Sequence, residues 1–461
     1  MTGDGTANRS RLAAQALAWT FPALVALLIL LQSITASATI EPRRIASHGR
    51  WAVFVAIALF ALPALRSIVR TRGRSVVPLH AGITAIAVLA ALSIFWSVDR
   101  HESLKQAGGV LLLLTSAGLA AWHEARTAGG ATRLVTGIVA GVAAVLVASV
   151  VTFLVDHHAA VAAADRINPA RFRGIGENPN TVPILLVLVF PLLPWVYTAA
   201  RGRAARGAVV LVGAGMLAMI FAAAARGAIV AAVAGTAVTI LLLRARPRRR
   251  LGLLVALAAV AVIGIGVSTL PKPNPHAPVR PGQDPNIQPV TTTHSWLGKL
   301  VPRPGTLLTG SGRTEAWSLG IRIADTRPVA GHGVGTEPLL IAPYNSAGYF
   351  KLFSGDYVEN SYLGTYLELG ALGLAALALV GAALLRSGVA AVRSAARDSA
   401  SRLQAACACG LVAGGVVQAV SQSYLLRVGN LGAFVFWTGA FVLAATARRH
   451  QTASNSRTSD R

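Results

Sequence analysis

Four stretches of the sequence place charged and polar side chains beside long apolar segments, where they could act at a membrane boundary. The first stretch combines Arg171 and Arg173 with Asn178 and Asn180, directly before an apolar segment. Arginine presents forked donors that match phosphate oxygens, and the start of a helix offers free backbone N–H groups. These residues are therefore a candidate site for an anionic headgroup. The alternative is a turn whose asparagines cap the following helix, since Gly, Asn and Pro are turn residues.

The second stretch is the isolated Arg226, which separates two apolar runs in the sequence Ala-Ala-Ala-Arg-Gly-Ala. A charge at such depth in apolar sequence is costly, so it is usually functional or paired. The alternative is a tight hairpin whose arginine reaches back to the membrane interface.

The third stretch runs from Ser-Gly-Arg313 to Trp317 and continues to the glycine-rich residues 331–335. Glycines permit tight turns and close approach of the backbone. Arg313 and Trp317 are candidate substrate-binding residues. His332 lies between glycines and is a candidate catalytic base, although a lone histidine also serves structural roles.

The fourth stretch brings Glu359, Asn360 and Tyr362 to the start of an apolar segment, and Glu368 lies within that segment. A carboxylate at a membrane boundary can have a raised pKa and act as a general base. Glu359 is the main candidate for this role, and His332 is the second. The alternative for Glu359 is a favourable charge at a helix N-terminus.

The rest of the chain predicts an all-α integral membrane protein. Hydrophobic residues make up 54% of the sequence and charged residues only 13%, whereas soluble domains are about 25% charged. About twelve segments are long enough to cross the hydrocarbon layer. They lie near residues 16–38, 51–69, 76–96, 106–122, 134–155, 180–199, 207–225, 227–243, 251–270, 360–385, 403–422 and 430–447.

The distribution of arginines predicts how the chain is oriented. Arginines cluster in alternate short connections, which the positive-inside rule assigns to the cytoplasm together with both termini. Residues 1–270 would then hold nine transmembrane helices, 271–359 one large extracytoplasmic loop, 360–447 three further helices, and 448–461 a disordered cytoplasmic tail. The net charge of +25 is spread between apolar runs rather than along one soluble face, which argues against nucleic acid as a partner.

The extracytoplasmic loop has two parts. Its Pro-rich half, residues 271–310, should be irregular. Residues 313–325 predict a short amphipathic helix with an apolar stripe of Trp317, Ile321 and Ala324.

Together these stretches resemble the O-antigen ligase and polymerase family of bacterial membrane enzymes. Four motifs carry the resemblance over roughly residues 90–375: Trp-Ser-Val-Asp at 96–99, Arg-Phe-Arg-Gly to Asn-Pro-Asn at 171–180, Arg-Gly-Ala at 226–228, and Gly-Arg-x-x-x-Trp to Gly-Val-Gly at 312–335. The main departure is Glu359-Asn360, where the ligases have His-Asn. An acidic residue at this position resembles some polymerases.

The resemblance implies a GT-C-like membrane fold in the bacterial plasma membrane and a role in surface polysaccharide assembly, as lipopolysaccharide or exopolysaccharide. The donor would be a glycan on undecaprenyl diphosphate, and the acceptor a glycan or lipid hydroxyl. Arg171, Arg173, Arg226 and Arg313 would neutralise the departing diphosphate, with Glu359 or His332 as base. No nucleotide, cofactor or obligatory metal is implied.

Three other functions fit parts of the sequence. A multi-pass transporter or flippase for an envelope glycan or lipid would place ionisable residues within its membrane segments, but here the polar groups cluster on one side. A non-catalytic assembly scaffold stays open because the family histidine is replaced. Transfer of the glycan to protein also stays open.

Overall fold

The computed structural model describes residues 4–35, 43–70, 77–164, 170–176, 178–243, 247–269, 313–347, 356–395 and 398–459. Within these ranges, a helix overlaps every apolar segment that the sequence predicts. The first six helices are α1 (Asp4–Thr35), α2 (Arg43–Arg70), α3 (Val77–Leu92), α4 (Arg100–Ala125), α5 (Gly130–Val155) and the single-turn α6 (His157–Ala160). The Pro-rich residues 271–310 lie outside the described part of the chain.

The remaining helices build the second half of the molecule. In chain order they are α7 (Thr181–Val189), α8 (Leu193–Ala199), α9 (Arg203–Ala222), α10 (Arg226–Leu242), α11 (Pro247–Thr269), α12 (Arg313–Ala324), α13 (Glu337–Ser346), α14 (Ser361–Ser394), α15 (Ser399–Gln418) and α16 (Leu431–Ser459). The predicted segment 180–199 is split into α7 and α8 by a 3-10 turn at Phe190–Leu192. Pro191 and Pro194 explain the split, because each removes a backbone donor from the helix.

The described residues contain six helices that are long and apolar enough to cross a membrane: Arg100–Ala125, Gly130–Val155, Thr181–Ala199, Arg203–Ala222, Ser361–Ser394 and Ser399–Gln418. Shorter apolar helices cover a further five of the predicted segments. The fold is thus consistent with the predicted all-α membrane protein. The number of twelve crossings and the GT-C-like arrangement stay predictions. A short antiparallel pair, β1 (Val161–Ala162) and β2 (Arg171–Phe172), is added to the helices.

The helix α12 occupies residues 313–324, close to the predicted 313–325. The predicted apolar stripe is partly wrong, because the Ile321 side chain is 47% exposed. The packed face consists instead of Ala316, Leu319 and Ala324, which join Ile341, Val358 and Leu367 in a small core of their own. This core attaches α12 and α13 to the start of α14.

The last helix, α16, extends to Ser459, where the sequence predicts a disordered tail from residue 448. After Gly439 the sequence contains neither glycine nor proline. Nothing in the local sequence therefore ends the helix after the predicted segment 430–447.

A break within α14 shapes the region that carries the candidate residues. Gly370 has a φ of 63°, and a Cβ at this position would lie 2.3 Å from the Val329 carbonyl oxygen. The break frees backbone groups of α14, which pair with the segment 328–333. The pairs run from Ala371 N to Pro328 O at 2.8 Å, from His332 N to Leu367 O at 3.0 Å, and from Gly333 N to Glu368 O at 2.9 Å.

Candidate active site

A tight turn directly before α14 carries Glu359. This residue has a φ of 53°, a left-handed conformation that side chains with a Cβ rarely adopt. Three hydrogen bonds hold the turn: Trp317 Nε1 to Val358 O at 2.8 Å, Val358 N to Glu337 Oε1 at 2.6 Å, and Asn360 N to Ser423 Oγ at 3.1 Å. Backbone strain that its surroundings enforce is a common feature of functional sites.

Asn360 is the N-cap of α14. Its side-chain oxygen accepts from the backbone N–H groups of Tyr362 at 3.0 Å and Leu363 at 3.1 Å. These are donors that a helix start otherwise leaves unpaired. The Tyr362 hydroxyl donates to the carbonyl of Val416 at 2.9 Å. The structure therefore gives Asn360 and Tyr362, both predicted to bind substrate, contacts that attach α14 to its neighbours.

Arg313 faces Glu359 from the first turn of α12. Burial lowers the pKa of the Arg313 guanidinium, and the charge of Glu359 opposes this effect. Burial raises the pKa of Glu359 from 4.5 to about 7. The charges of Arg313 and Arg427 act in the opposite direction, and the charge of Glu337 raises the pKa further. A carboxylate with this pKa changes its protonation state near neutral pH, which suits a general base.

A buried ionic cluster lies behind the turn. The Arg427 guanidinium contacts the carboxylates of both Glu337 and Glu368, the latter at 2.9 Å, and stacks on the ring of Tyr357 at 4.4 Å. Burial lowers the pKa of Arg427, but Glu368 and Glu337 outweigh it and hold the pKa above its ordinary value. Burial also raises the pKa of Tyr357. Arg427 is therefore a permanent cation at the centre of the cluster.

His332 is buried on the glycine-rich segment that follows α12. Its Nδ1 lies 3.0 Å from the Leu367 carbonyl and its Nε2 lies 3.1 Å from Thr326 Oγ1. Burial is the main cause that lowers the pKa of His332. The His332 carbonyl accepts from Val98 N at 3.0 Å, which attaches this segment to the predicted Trp-Ser-Val-Asp motif. Both ring nitrogens thus have contacts that would serve a structural role.

The guanidinium groups of Arg171 and Arg173 donate mainly to backbone carbonyls. Arg171 donates to Ala223 O at 2.7 Å and to Asn180 Oδ1 at 2.9 Å. Arg173 donates to Ala159 O at 2.8 Å. Both arginines therefore brace the segment between α5 and α7, whatever else they bind.

The remaining predicted residues lie at helix starts. Asn178 accepts from Asn180 N at 2.9 Å, as expected for an asparagine turn. Arg226 is half-buried and begins α10, two residues after Ala224, which has a φ of 49°. The candidate hairpin at Arg226 is thus a strained turn between α9 and α10.

The structure brings most of the predicted residues into two groups that share a connecting loop. Glu359, Asn360, Arg313 and Trp317 form one group, and Arg171, Asn180 and the Arg226 turn form the other. The loop 419–430, between α15 and α16, reaches both. Its Ser423 contacts the first group, and its Ser421 hydroxyl would lie 2.6 Å from a Cβ placed at Gly227 in the second.

Three residues of the cluster were absent from the sequence prediction: Glu337, Arg427 and Tyr357. Glu337 and Arg427 are 90 positions apart, so no local pattern connects them. One signal was available for Arg427, which is a lone charge in a short connection between two apolar segments. Among the described residues, no three His, Cys, Asp or Glu side chains gather into a metal-binding group.

A comparison with protein families supports one assignment, and no curated protein matches the chain. Residues 209–378 match the family model described as O-antigen ligase. The matched range runs from α9 into α14 and so includes Arg226, Arg313, Glu337 and Glu359. The match supports the assignment of this chain to the O-antigen ligase/polymerase family.

Proposed function

We propose that this chain transfers or polymerises a polysaccharide from an undecaprenyl-diphosphate-linked donor onto an acceptor hydroxyl at the outer face of the bacterial plasma membrane. The family assignment implies lipid-linked glycan substrates and glycan transfer in the membrane. The observation that carries the finer proposal is the turn at Glu359, a residue with a strained backbone whose carboxylate has a pKa of about 7 and faces the half-buried Arg313.

In the proposed reaction, the acceptor oxygen forms a bond to the anomeric carbon of the donor glycan while the bond from that carbon to the diphosphate breaks. Glu359 takes the proton of the acceptor hydroxyl. Undecaprenyl diphosphate leaves with the bonding electrons, so its negative charge grows during the step. Arg313 would offset this charge from a half-buried position, where electrostatic stabilisation is stronger than in open water.

The other arginines of the sequence analysis also have roles in this proposal. The turn that presents Arg226 is held by Arg171, and Arg173 braces the strand beside it. We propose that Arg313 and Arg226 contact the diphosphate directly. Arg171 and Arg173 would act mainly by fixing the surface that receives the donor.

The first test compares Glu359→Gln with Asp356→Asn in a strain that lacks the chromosomal gene. Glutamine keeps the shape of the side chain but cannot accept the proton. The rate of surface polysaccharide assembly should therefore fall by about 10²–10⁴-fold. Asp356 is an exposed carboxylate three positions earlier, and its variant should restore wild-type polysaccharide. Gel profiles of surface glycan, at matched membrane levels of each variant, give the result.

The pH dependence provides a second measurement with a defined sign. Glu359 must be ionised to accept a proton, so the transfer rate should fall as the pH drops below about 7. Donor extracted from the deletion strain and purified protein suffice for this assay. Wild-type polysaccharide with Glu359→Gln, and its loss with His332→Ala, would move the base to His332. A deletion strain with unchanged surface glycans would contradict the proposed function itself.

A further inference from the structure

Glu337 is a buried acidic residue whose contacts converge on the turn at Glu359. Its side chain is 1% exposed and lies at the first position of α13. A buried carboxylate is costly unless it is paired and hydrogen-bonded. Glu337 meets both conditions: its Oε2 contacts Arg427, and its Oε1 accepts from Val358 N at 2.6 Å and from Ser423 Oγ at 3.3 Å.

The hydrogen bonds of Glu337 reach both neighbours of Glu359. The amide of Val358 donates directly to the Glu337 carboxylate. The amide of Asn360 donates to Ser423 Oγ at 3.1 Å, and that hydroxyl donates onward to Glu337. The two amides that flank the left-handed residue are therefore tied to one carboxylate.

The carboxylate itself is held from the opposite side. Arg427 joins Glu337 to Glu368, whose Oε1 also accepts from the Glu337 backbone N–H at 3.2 Å. The loop that carries Arg427 is attached to the helical body by Gln106 Nε2 to Leu426 O at 2.9 Å and by Trp437 Nε1 to Leu425 O at 2.7 Å. The support for the turn thus extends into α4 and α16.

We propose that Glu337 is a positioning residue for Glu359: by binding the backbone amides on both sides of it, directly and through Ser423, it fixes the left-handed turn that presents the Glu359 carboxylate. The proposal rests on the proposed function in so far as Glu359 is the base. Glu337 is a positioning residue rather than a second base, because Val358, Ser423 and Arg427 occupy its oxygens.

Glu337 has an electrostatic effect on the same residue. Its negative charge raises the pKa of Glu359, whereas the charges of Arg313 and Arg427 lower it. Removal of the Glu337 charge should therefore lower the pKa of Glu359, and the acidic limb of the pH–rate profile should move to lower pH. A residue that only supports the fold would leave this limb in place.

The test measures amide hydrogen exchange in the full-length protein, resolved at Val358 and Asn360 by peptide fragmentation. Glu337→Ala removes the acceptor of the Val358 amide and the anchor of the Ser423 hydroxyl. Exchange should rise at both amides, and at Val358 by about fivefold, which corresponds to a lost hydrogen bond of about 1 kcal/mol. Ser423→Ala should raise exchange at Asn360 only. Glu102→Gln changes a half-buried glutamate of α4 that pairs with Lys105 and should raise neither.

The conservative variant Glu337→Gln separates the two effects. Its amide oxygen can still accept from Val358, although its NH2 group then faces Arg427. Exchange should therefore rise less than in Glu337→Ala, while the acidic limb moves to lower pH. Transfer of extracted lipid-linked glycan by Glu337→Ala should lose about 100-fold in kcat, because small misplacements of a reacting group have effects of this size.

Unchanged exchange at both amides in Glu337→Ala would overturn the proposal, as would increased exchange with kcat and the pH limb of wild type. Should Glu337→Ala fail to reach the membrane folded, Ser423→Ala decides: wild-type exchange at Asn360 would overturn the proposal. Wild-type transfer by Glu359→Gln would instead contradict the proposed function. The exchange measurements do not depend on that outcome.

Discussion

At the residue scale, Arg171 shows how one side chain can serve a fold and a site together. Its guanidinium bonds the carbonyls of Ala223 and Ala224 at the end of α9, and also the side chain of Asn180. Carbonyls at a helix C-terminus lack partners within the helix. A planar fork reaches several of them at once, which the single ammonium of lysine cannot do. Arg171 therefore holds the strained turn before Arg226.

From this geometry we expect Arg171→Lys to destabilise the protein by about 1.5–3 kcal/mol, the range for hydrogen bonds to charged groups. Arg201→Lys is the matched control, because Arg201 is exposed and its replacement should be neutral. Thermal melting of the detergent-purified proteins measures the difference. Equal melting temperatures for the two variants would show that the forked contact does not support the fold.

At the element scale, the break in α14 connects the glycine-rich segment to the site. Gly370 adopts a left-handed conformation within the helix, and the backbone of residues 328–333 fills the gap. Gly331 packs against the same break, since a Cβ there would lie 2.4 Å from the Glu368 carbonyl oxygen. The start of α14, with Glu359 before it, is thereby set at an angle that a continuous helix would not give.

Two glycine substitutions on α14 should have opposite effects. Gly370→Ala should destabilise the protein by at least about 2 kcal/mol, because a left-handed residue with a Cβ alone costs about 1–2 kcal/mol and the new Cβ would also overlap the backbone of Val329. Gly381→Ala should be neutral or stabilising by up to about 1 kcal/mol, since no atom lies within 4 Å of its Cβ position. Folded yield and melting temperature compare the two. Similar values would contradict the proposed role of the break.

At the scale of the whole molecule, the candidate groups gather around the loop 419–430 and the ends of the helices that meet it. Clustering on one side of a helical membrane protein fits an enzyme that acts on a substrate in one leaflet. The side itself follows only from the arginine distribution, which predicts that these groups face outward and that the termini lie in the cytoplasm.

This orientation can be tested by single cysteines in a background of Cys407→Ala and Cys409→Ala. Asp356→Cys lies beside the candidate site, and Arg201→Cys lies in a connection predicted to be cytoplasmic; both positions are exposed. A membrane-impermeant maleimide should label Asp356→Cys in intact cells and Arg201→Cys only after lysis. The reverse pattern would place the site in the cytoplasm and contradict the proposed use of an outer-leaflet donor.

The sequence by itself determined the helices and where function could lie. An apolar run in a membrane must satisfy its own backbone hydrogen bonds, so helix positions follow from hydropathy. The local sequence pattern also sufficed to predict the helix α12. The structure added the N-cap role of Asn360. Glu359 is a candidate because a carboxylate before an apolar helix is unusual enough to stand out.

Only the tertiary structure decided which groups meet. The pairing of Glu337 with Arg427, the packed face of α12 without Ile321, and the break at Gly370 all depend on segments far apart in the chain. Hydrophobic periodicity specifies which residues are buried but not the partner against which they pack. The strained turn at Glu359 is the clearest case, because its conformation is unfavourable locally and persists through hydrogen bonds from α12, α13 and the loop 419–430.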